Sequence, residues 1–180
     1  MSSELKLAEL KEKYLFKPGR LDRDRADEVK QRFEELVDAF KRQKIRLRPD
    51  EGRLMELAFY TAALALGVAH SQLRKIYAEV TAVRDAAREA AEGRGDWEEV
   101  IARLGRARVT LAYAVGRASG ERWKVEAFER LHEVLDEAMR RATGIVERDD
   151  VEDDVKLRAV EALHFLMESI IAFHRFLGAR

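Results

Sequence analysis

The sequence predicts an all-α protein, a single-domain bundle of about six helices with short connections. Apolar residues recur with the 3.6-residue period of an amphipathic helix from about residue 24 onward, and no run alternates apolar and polar residues as a half-buried strand does. In the 180-residue chain, Pro49 and the glycines at 67, 93, 120 and 178 mark helix ends. Hydrophobic residues make up 47% of the chain, enough for a buried core rather than a disordered chain.

The N-terminal part differs from the rest of the chain. Residues 1–23 are charged, weakly periodic and interrupted by Lys17-Pro18-Gly19. We therefore predict a charged N-terminal arm over 1–23, with room for a short helical piece, and a helical bundle domain over 24–180. The first predicted helix of the bundle covers about 24–47 and stops before Pro49. Its predicted core positions are Val29, Phe33, Leu36, Phe40 and Leu47.

The second predicted helix, about 51–66, is apolar on nearly all sides. This pattern is typical of the central helix of a bundle, and an interface with another subunit is the alternative. The third predicted helix has Ser71 as its N-cap and ends near Gly93.

Caps and glycines delimit the last three predicted helices. Asp96 followed by Glu99 predicts a capping box at the start of the fourth, which ends before Gly120. The fifth covers about 122–146 and the sixth about 150–177. Every connection is short, so no second domain is indicated and neighbouring helices should pack antiparallel.

Composition excludes several classes of function. The chain has no cysteine, which excludes disulfide scaffolds, zinc fingers, iron–sulfur sites and cysteine nucleophiles, and suits the reducing cytoplasm. Its 34 basic and 34 acidic side chains cancel, which argues against a free-standing, strongly basic RNA binder but not against a basic surface. The longest apolar stretch, 54–69, contains Glu56 and falls short of the about 20 residues that span a bilayer. We therefore expect a cytoplasmic protein without membrane contact.

Catalytic motifs are missing from the sequence, including the phosphate loop, the Gly-x-Ser-x-Gly elbow and the His-Glu-x-x-His zinc motif. The pairs Glu129–His132 and Glu161–His164 do have the ligand spacing of ferritin-like di-iron bundles. A helical wheel turns Glu129, Glu161 and His164 away from the core, so we expect no metal, no cofactor and no small-molecule substrate. A di-iron enzyme is the least favoured alternative. His174 is expected to be partly buried, with a packing role.

Basic residues form two stripes. Each set recurs at intervals of 3, 4, 3 and 4 residues and contains no acidic residue, so each occupies one face of a helix. The stripes are Arg74, Tyr77, Thr81, Arg84 and Arg88 in the third predicted helix, and Arg103, Arg106, Thr110, Tyr113 and Arg117 in the fourth. Arginine and threonine can hydrogen-bond phosphates, and tyrosine offers a ring to an unstacked base. The stripes therefore indicate RNA binding, with solvated surface or ion pairing to a neighbour as the alternative.

Arg108 lies within the apolar stripe of the fourth predicted helix. A charge at such a position needs a buried partner, an interface or a side chain that emerges to solvent.

Three segments resemble the small helical subunit of type III-A CRISPR interference complexes, the Csm complexes. Ser71-Gln-Leu-Arg74-Lys75-Ile-Tyr77 is similar to that family's helix-opening motif, and Tyr113-Ala-Val-Gly-Arg117 is similar to its Tyr-Ala-x-x-Arg element. The ending from Glu168 to Gly178 resembles its C-terminal Glu-Ala-Leu-Val-Ala-Tyr-His-Lys sequence. The segments occur in the family's order, whereas residues 1 to about 60 match no part of it.

The resemblance implies a non-catalytic, multi-copy subunit that binds guide and target RNA without sequence specificity in antiviral defence. Its partners would be RNA, other subunits of the effector complex and further copies of itself. The RNA-binding positions that the resemblance implies are Arg74, Lys75 and Arg117. The helical wheel adds Arg84, Arg88, Arg103, Arg106, Arg108 and Tyr113. A structural helical adaptor that makes only protein contacts is the alternative from another class.

Overall fold

A computed structural model describes residues 7–49 and 52–179, and it confirms the all-α class. The described helices are α1 (Leu7–Tyr14), α2 (Ala26–Lys41), α3 (Gly52–Leu64), α4 (His70–Ala91), α5 (Trp97–Gly116), α6 (Arg122–Val146) and α7 (Asp153–Phe176). A small antiparallel hairpin of β1 (Leu15–Lys17) and β2 (Arg20–Leu21) follows α1, and a 3₁₀ turn (Arg23–Arg25) leads into α2. None of the helices described has an apolar stretch that could cross a bilayer.

Helices α3 and α7 form the centre of the bundle. α7 packs against α3, α4 and α6, whereas α3 packs against α2, α6 and α7, and α5 packs against α4 and α6. The side chains of 57–63 in α3 are all buried, so the helix is enclosed on every side. This confirms the central position expected for the second predicted helix. Of the predicted core of the first helix, the four positions within α2 are buried, and Leu47 is partly buried.

The end of α1 and the hairpin contact α2, α3 and the residue after α7. Tyr14, only 3% exposed, lies with its hydroxyl 3.0 Å from Glu28 Oε1 and 3.4 Å from the Tyr60 hydroxyl. At the turn, the backbone N–H of Gly19 donates to the carbonyl oxygen of Leu177, 2.6 Å away, just after α7. The short helical piece expected in the arm is α1. The hairpin went unpredicted because strands this short carry too little alternation to be recognised.

The predicted end of the first helix was wrong, because α2 ends at Lys41 rather than near 47 and Pro49 does not stop it. Gln43 has a φ of 59°, which turns the chain out of the helix. Arg141 of α6 donates a hydrogen bond to the carbonyl oxygen of Phe40 in the last turn of the helix, which also accepts the backbone N–H of Gln43 over 2.9 Å. A side chain about a hundred residues away therefore helps to end α2.

The predicted N-cap of α4 was wrong, whereas that of α5 is confirmed. Ala69, not the predicted Ser71, is the N-cap of α4, and the Gln72 side chain accepts the Ala69 N–H over 3.3 Å in place of a hydroxyl cap. Asp96 caps α5 as predicted, since its Oδ1 accepts the N–H of Glu99 over 2.7 Å.

Candidate RNA-binding surface

The two stripes lie on α4 and α5, which pack against each other and are joined by the short connection 92–96. A connection this short makes the helices antiparallel, so the start of α4 lies beside the end of α5. Arg74 and Lys75 near the start of α4 and Tyr113 and Arg117 near the end of α5 therefore share one end of the helix pair. All four side chains are exposed. We call this group the α4–α5 end surface.

The α4–α5 end surface carries uncompensated positive charge. Among the described residues, Arg74 and Lys75 have no ion-pair or side-chain hydrogen-bond partner. Arg117 donates from Nη1 to the Tyr113 hydroxyl over 3.0 Å, and its guanidinium lies 5.5 Å from the centre of the Tyr113 ring. That ring is nonetheless 62% exposed. Two cations without a partner among the described residues therefore share an end of the helix pair with an exposed aromatic ring on which a third cation stacks.

The middle of the α4 stripe turns inward toward α7. The Nη1 of Arg84 lies 3.1 Å from Nε2 of His164, and the Thr81 hydroxyl lies 3.4 Å from the same nitrogen. The Tyr77 ring packs on His164 at 5.2 Å between ring centres. His164, predicted to face solvent, is only 6% exposed. The prediction failed because α7 contacts three helices, which buries a wider arc than one apolar stripe reveals.

Arg88 has an acidic partner that its own helix does not supply. Its Nη2 lies 3.0 Å from Oε1 of Glu161 on α7. The helical wheel showed correctly that the α4 stripe itself lacks acid, but it could not show the carboxylate on the neighbouring helix. RNA contact by Arg84 or Arg88 would require exchange of these α7 partners, and it stays a prediction.

His164 is held as a neutral ring. A guanidinium can only donate hydrogen bonds, so Nε2 accepts from Arg84 and the ring proton lies on Nδ1. Burial lowers the pKa of His164 below its ordinary value, and the positive charge of Arg84 lowers it further.

The α5 stripe is paired more loosely. Both Arg103 and Arg106 bind Glu99, which lies about one helical turn before Arg103. The distances to Oε1 of Glu99 are 2.7 Å from Nε of Arg103 and 3.1 Å from Nη2 of Arg106. Ion pairs this exposed cost little to break, so both arginines stay available to phosphate. Arg108 forms a forked pair with Asp136 of α6, with N–O distances of 2.8 and 3.3 Å. This is the partner that its position in the apolar stripe required.

The ligand pairs of the di-iron alternative do not converge. Glu129 is exposed, Glu161 binds Arg88, and Nε2 of His164 is occupied by a cationic donor. In the part of the chain that the structure describes, no three His, Asp or Glu residues come together as a metal site would require.

The packing role expected for His174 is confirmed. The residue is fully buried, its Nε2 lies 3.1 Å from the carbonyl oxygen of Ala65, and its ring stacks on His70 with 6.0 Å between centres. Burial lowers the pKa of His174, and the neighbouring His70 contributes to the lowering.

A second basic region escaped the sequence analysis. Lys17, Arg20, Arg23 and Lys30 line one cleft together with Trp123 of α6. The four cations are spread over the hairpin, the 3₁₀ turn and α2 and share no helical period, and the tryptophan lies far away in sequence. The segment 17–30 contains five basic and four acidic residues, so its local charge carried no signal for the cleft.

Comparison with known proteins identifies the family. The family model described as Csm2 Type III-A matches residues 49–180, a range that includes all three resembling segments as well as α3. The search of curated proteins found no match, and neither did the search of solved structures. The hairpin and α2 lie outside the matched range. Because the match covers most of the chain, the protein belongs to the Csm2 family, the small subunit of type III-A CRISPR complexes.

Proposed function

We propose that this subunit binds the backbone of guide and target RNA within the type III-A complex, without catalysing a reaction itself. The observation that carries the proposal is the α4–α5 end surface. Arg74 and Lys75 are exposed cations without a partner among the described residues, and they share an end of the helix pair with Tyr113 and Arg117. These positions fall within two of the segments that resemble the family.

The chemistry of this surface suits RNA recognised by shape. Arginine and lysine side chains neutralise phosphates and release counterions whatever the base sequence. The exposed Tyr113 ring can stack on any base, which also carries no sequence information. Arg103 and Arg106 extend the positive surface along α5, since each can exchange the exposed Glu99 carboxylate for a phosphate. Arg84, Arg88 and Arg108 bind carboxylates or a histidine on other helices, so we assign them a secondary place.

The affinity of one copy for RNA should be weak, because few phosphates are contacted. Binding of several neighbouring subunits to one RNA raises the effective affinity without new contacts. Within the complex, a surface of this kind would hold the RNA in place.

The test is a pair of charge reversals on the α4–α5 end surface, Arg74→Glu with Arg117→Glu, in the full-length chain. Fluorescence anisotropy with labelled single-stranded RNA over a salt series should show at least tenfold weaker binding. Each lost phosphate contact reduces the slope of log K against log salt by about 0.7, so the double variant should lose about 1.4. Circular dichroism should show unchanged helix content.

The matched control is Arg53→Glu with Arg158→Glu, which changes the net charge equally on α3 and α7. Arg53 has no ion pair with a described residue, and Arg158 has only the exposed Asp154. The control should bind RNA as the unchanged chain does. If the two double variants weaken binding equally, net charge rather than this surface governs RNA affinity, and the proposal fails.

One observation favours the structural adaptor as a second candidate. Val109 on the outer face of α5 is 69% exposed and borders a groove lined by Glu79, Gly105, Arg106 and Thr110. An exposed apolar side chain beside a groove suits contact with another protein. Affinity purification of a tagged copy discriminates between the candidates. Protein partners that stay bound after ribonuclease treatment, together with no measurable RNA affinity, would favour the adaptor.

A further inference from the structure

A cleft of about 690 Å³ lies between the N-terminal hairpin, the end of α3 and the start of α6. We call it the N-terminal cleft. Its size falls within the range of about 300–1,000 Å³ that is typical of small-ligand sites. The cleft is separate from the α4–α5 end surface, since none of its lining residues belongs to α4 or α5.

Five cations line the N-terminal cleft, and four of them lack counter-charges, whereas Arg130 lies 3.7 Å from Glu34 and 3.6 Å from Glu133. The side chains of Lys17, Arg20, Arg23 and Lys30 form no ion pair or hydrogen bond with any residue that the structure describes. The two carboxylates that also line the cleft pair with cations outside it, Glu126 with Arg122 and Glu121 with Lys124 at 3.7 Å, so an anion is the natural ligand of the four unpaired cations. Glu126 binds Arg122 at 2.8 Å, and Glu121 accepts the indole N–H of Trp123.

Trp123 forms a fixed aromatic surface in this cleft. A side-chain carbon on Gly67 would lie 2.7 Å from the indole ring, so the ring rests directly against the backbone between α3 and α4. The hydrogen bond from its N–H to Glu121 also restrains the ring. The indole is still 51% exposed. A large ring that is held in place and left half open can stack on a flat ligand at a small cost in conformational entropy.

We propose that the N-terminal cleft binds an unstacked nucleotide of a single-stranded nucleic acid. The base would stack on Trp123, and the flanking phosphates would contact the cations of the hairpin and α2. An acidic protein segment would satisfy the cations but would leave the half-open indole unexplained. This second site goes beyond the proposed function, because most of its cations come from residues outside the matched family range.

Tryptophan fluorescence reports on the cleft directly. The chain has two tryptophans, so Trp97→Phe leaves Trp123 as the only reporter in the full-length protein. Hexaadenylate RNA and hexaadenylate DNA, added separately, should quench this fluorescence in a saturable way that high salt weakens. Equal quenching by both would indicate that the cleft recognises only base and phosphate. Quenching by RNA alone would indicate that it also recognises the 2′-hydroxyl.

Charge changes then locate the site. In the Trp97→Phe background, Arg20→Glu with Arg23→Glu should weaken quenching at least tenfold, whereas Arg74→Glu with Arg117→Glu should leave it within about twofold, since the surfaces are separate. The milder Arg20→Gln with Arg23→Gln serves if the first pair disturbs the hairpin. The control pair Arg53→Glu with Arg158→Glu should leave quenching unchanged.

Three results would overturn the proposal: no quenching at millimolar oligonucleotide, quenching unchanged by both Arg20/Arg23 pairs, or equal quenching by hexaglutamate peptide. The last would assign the cleft to an acidic protein segment. Failure here is distinct from failure of the proposed function, because anisotropy of the Arg74/Arg117 variant tests the α4–α5 end surface separately.

Discussion

Arg84 of α4 donates a hydrogen bond from Nη1 to Nε2 of His164 on α7, across 3.1 Å. The bond joins a residue of a stripe that looked solvent-exposed to a histidine that is nearly fully buried. It requires a neutral imidazole, because Nε2 cannot accept from arginine and carry a proton at once. The contact between α4 and α7 is therefore sensitive to the protonation of one ring.

We expect His164 to make the fold less stable in mild acid. Its pKa in the folded chain is below the ordinary value of 6.5, so the unfolded chain takes up the proton first as the pH falls. The stabilisation is complete above about pH 6.5 and is lost as the pH falls toward the folded-state pKa, at no more than about 1.4 kcal/mol per pH unit. Urea unfolding between pH 7.5 and pH 5 measures the loss.

His164→Gln should flatten this pH dependence, because the amide oxygen can still accept from Arg84 but does not titrate. The free energy of unfolding of this variant should still decrease somewhat as the pH falls, because the pKa of His174 is lowered too. His132→Gln on α6 is the control for loss of a histidine as such. A slope in His164→Gln that matches the unchanged chain would contradict the prediction.

Arg141 should contribute strongly to stability. It is 11% exposed, donates to the carbonyl oxygens of Phe40 in the last turn of α2 and Ile45 just after it, and binds the Glu137 carboxylate at 2.7 Å. Arg141→Ala removes both hydrogen bonds to backbone carbonyls and one partner of the nearly buried Glu137, so the free energy of unfolding should fall by about 2–3 kcal/mol. Urea denaturation of the variant and of the unchanged chain measures this decrease in the free energy of unfolding.

Arg140 is the matched control for Arg141. It binds the same carboxylate of Glu137 at 2.9 Å but is 59% exposed. Arg140→Ala should change the free energy of unfolding by less than about 1 kcal/mol, as exposed ion pairs do. Equal losses in the two variants would mean that Glu137, and not the capping of α2, is what Arg141 supports.

Gly178 should be essential for docking of the N-terminal hairpin. Its φ of 86° disfavours any other residue, and an added Cβ would lie 2.6 Å from the Cβ of Pro18. Gly178→Ala should therefore lower stability and make the segment before α2 more susceptible to proteolysis. Gly93→Ala separates the two causes, because Gly93 has a φ of 71° and open space around it.

In Gly93→Ala the free energy of unfolding should fall by only about 1–2 kcal/mol, which is the cost of placing a residue with a Cβ in the left-handed conformation. Cleavage of the hairpin should not increase. Thermal unfolding and limited proteolysis of both variants measure the difference. Equal proteolysis of the hairpin in the two would show that its docking does not depend on the close approach of Pro18 to Gly178.

The local part of the fold was predictable from sequence. The bounds of α6 agree with the predicted 122–146, and Asp96 caps α5 as its sequence context indicated. The end of α2 was not predictable, because the Arg141 that binds a carbonyl in its last turn comes from another helix. The resemblance to the Csm2 family depended on three short segments, whose order along the chain is itself a property of sequence.

The sequence by itself determined the helices, most of the core and the family, because helical period, caps and motifs are written in residues close along the chain. Only the tertiary structure decided the partner of each charge. Arg84 and Arg88 belong to the same stripe as Arg74, yet they bind α7 while Arg74 stays free among the described residues. The N-terminal cleft likewise brings Lys17 and Trp123 to one site across most of the chain. Such neighbours are set by how helices pack, and a single helical wheel contains no information about the helix beside it.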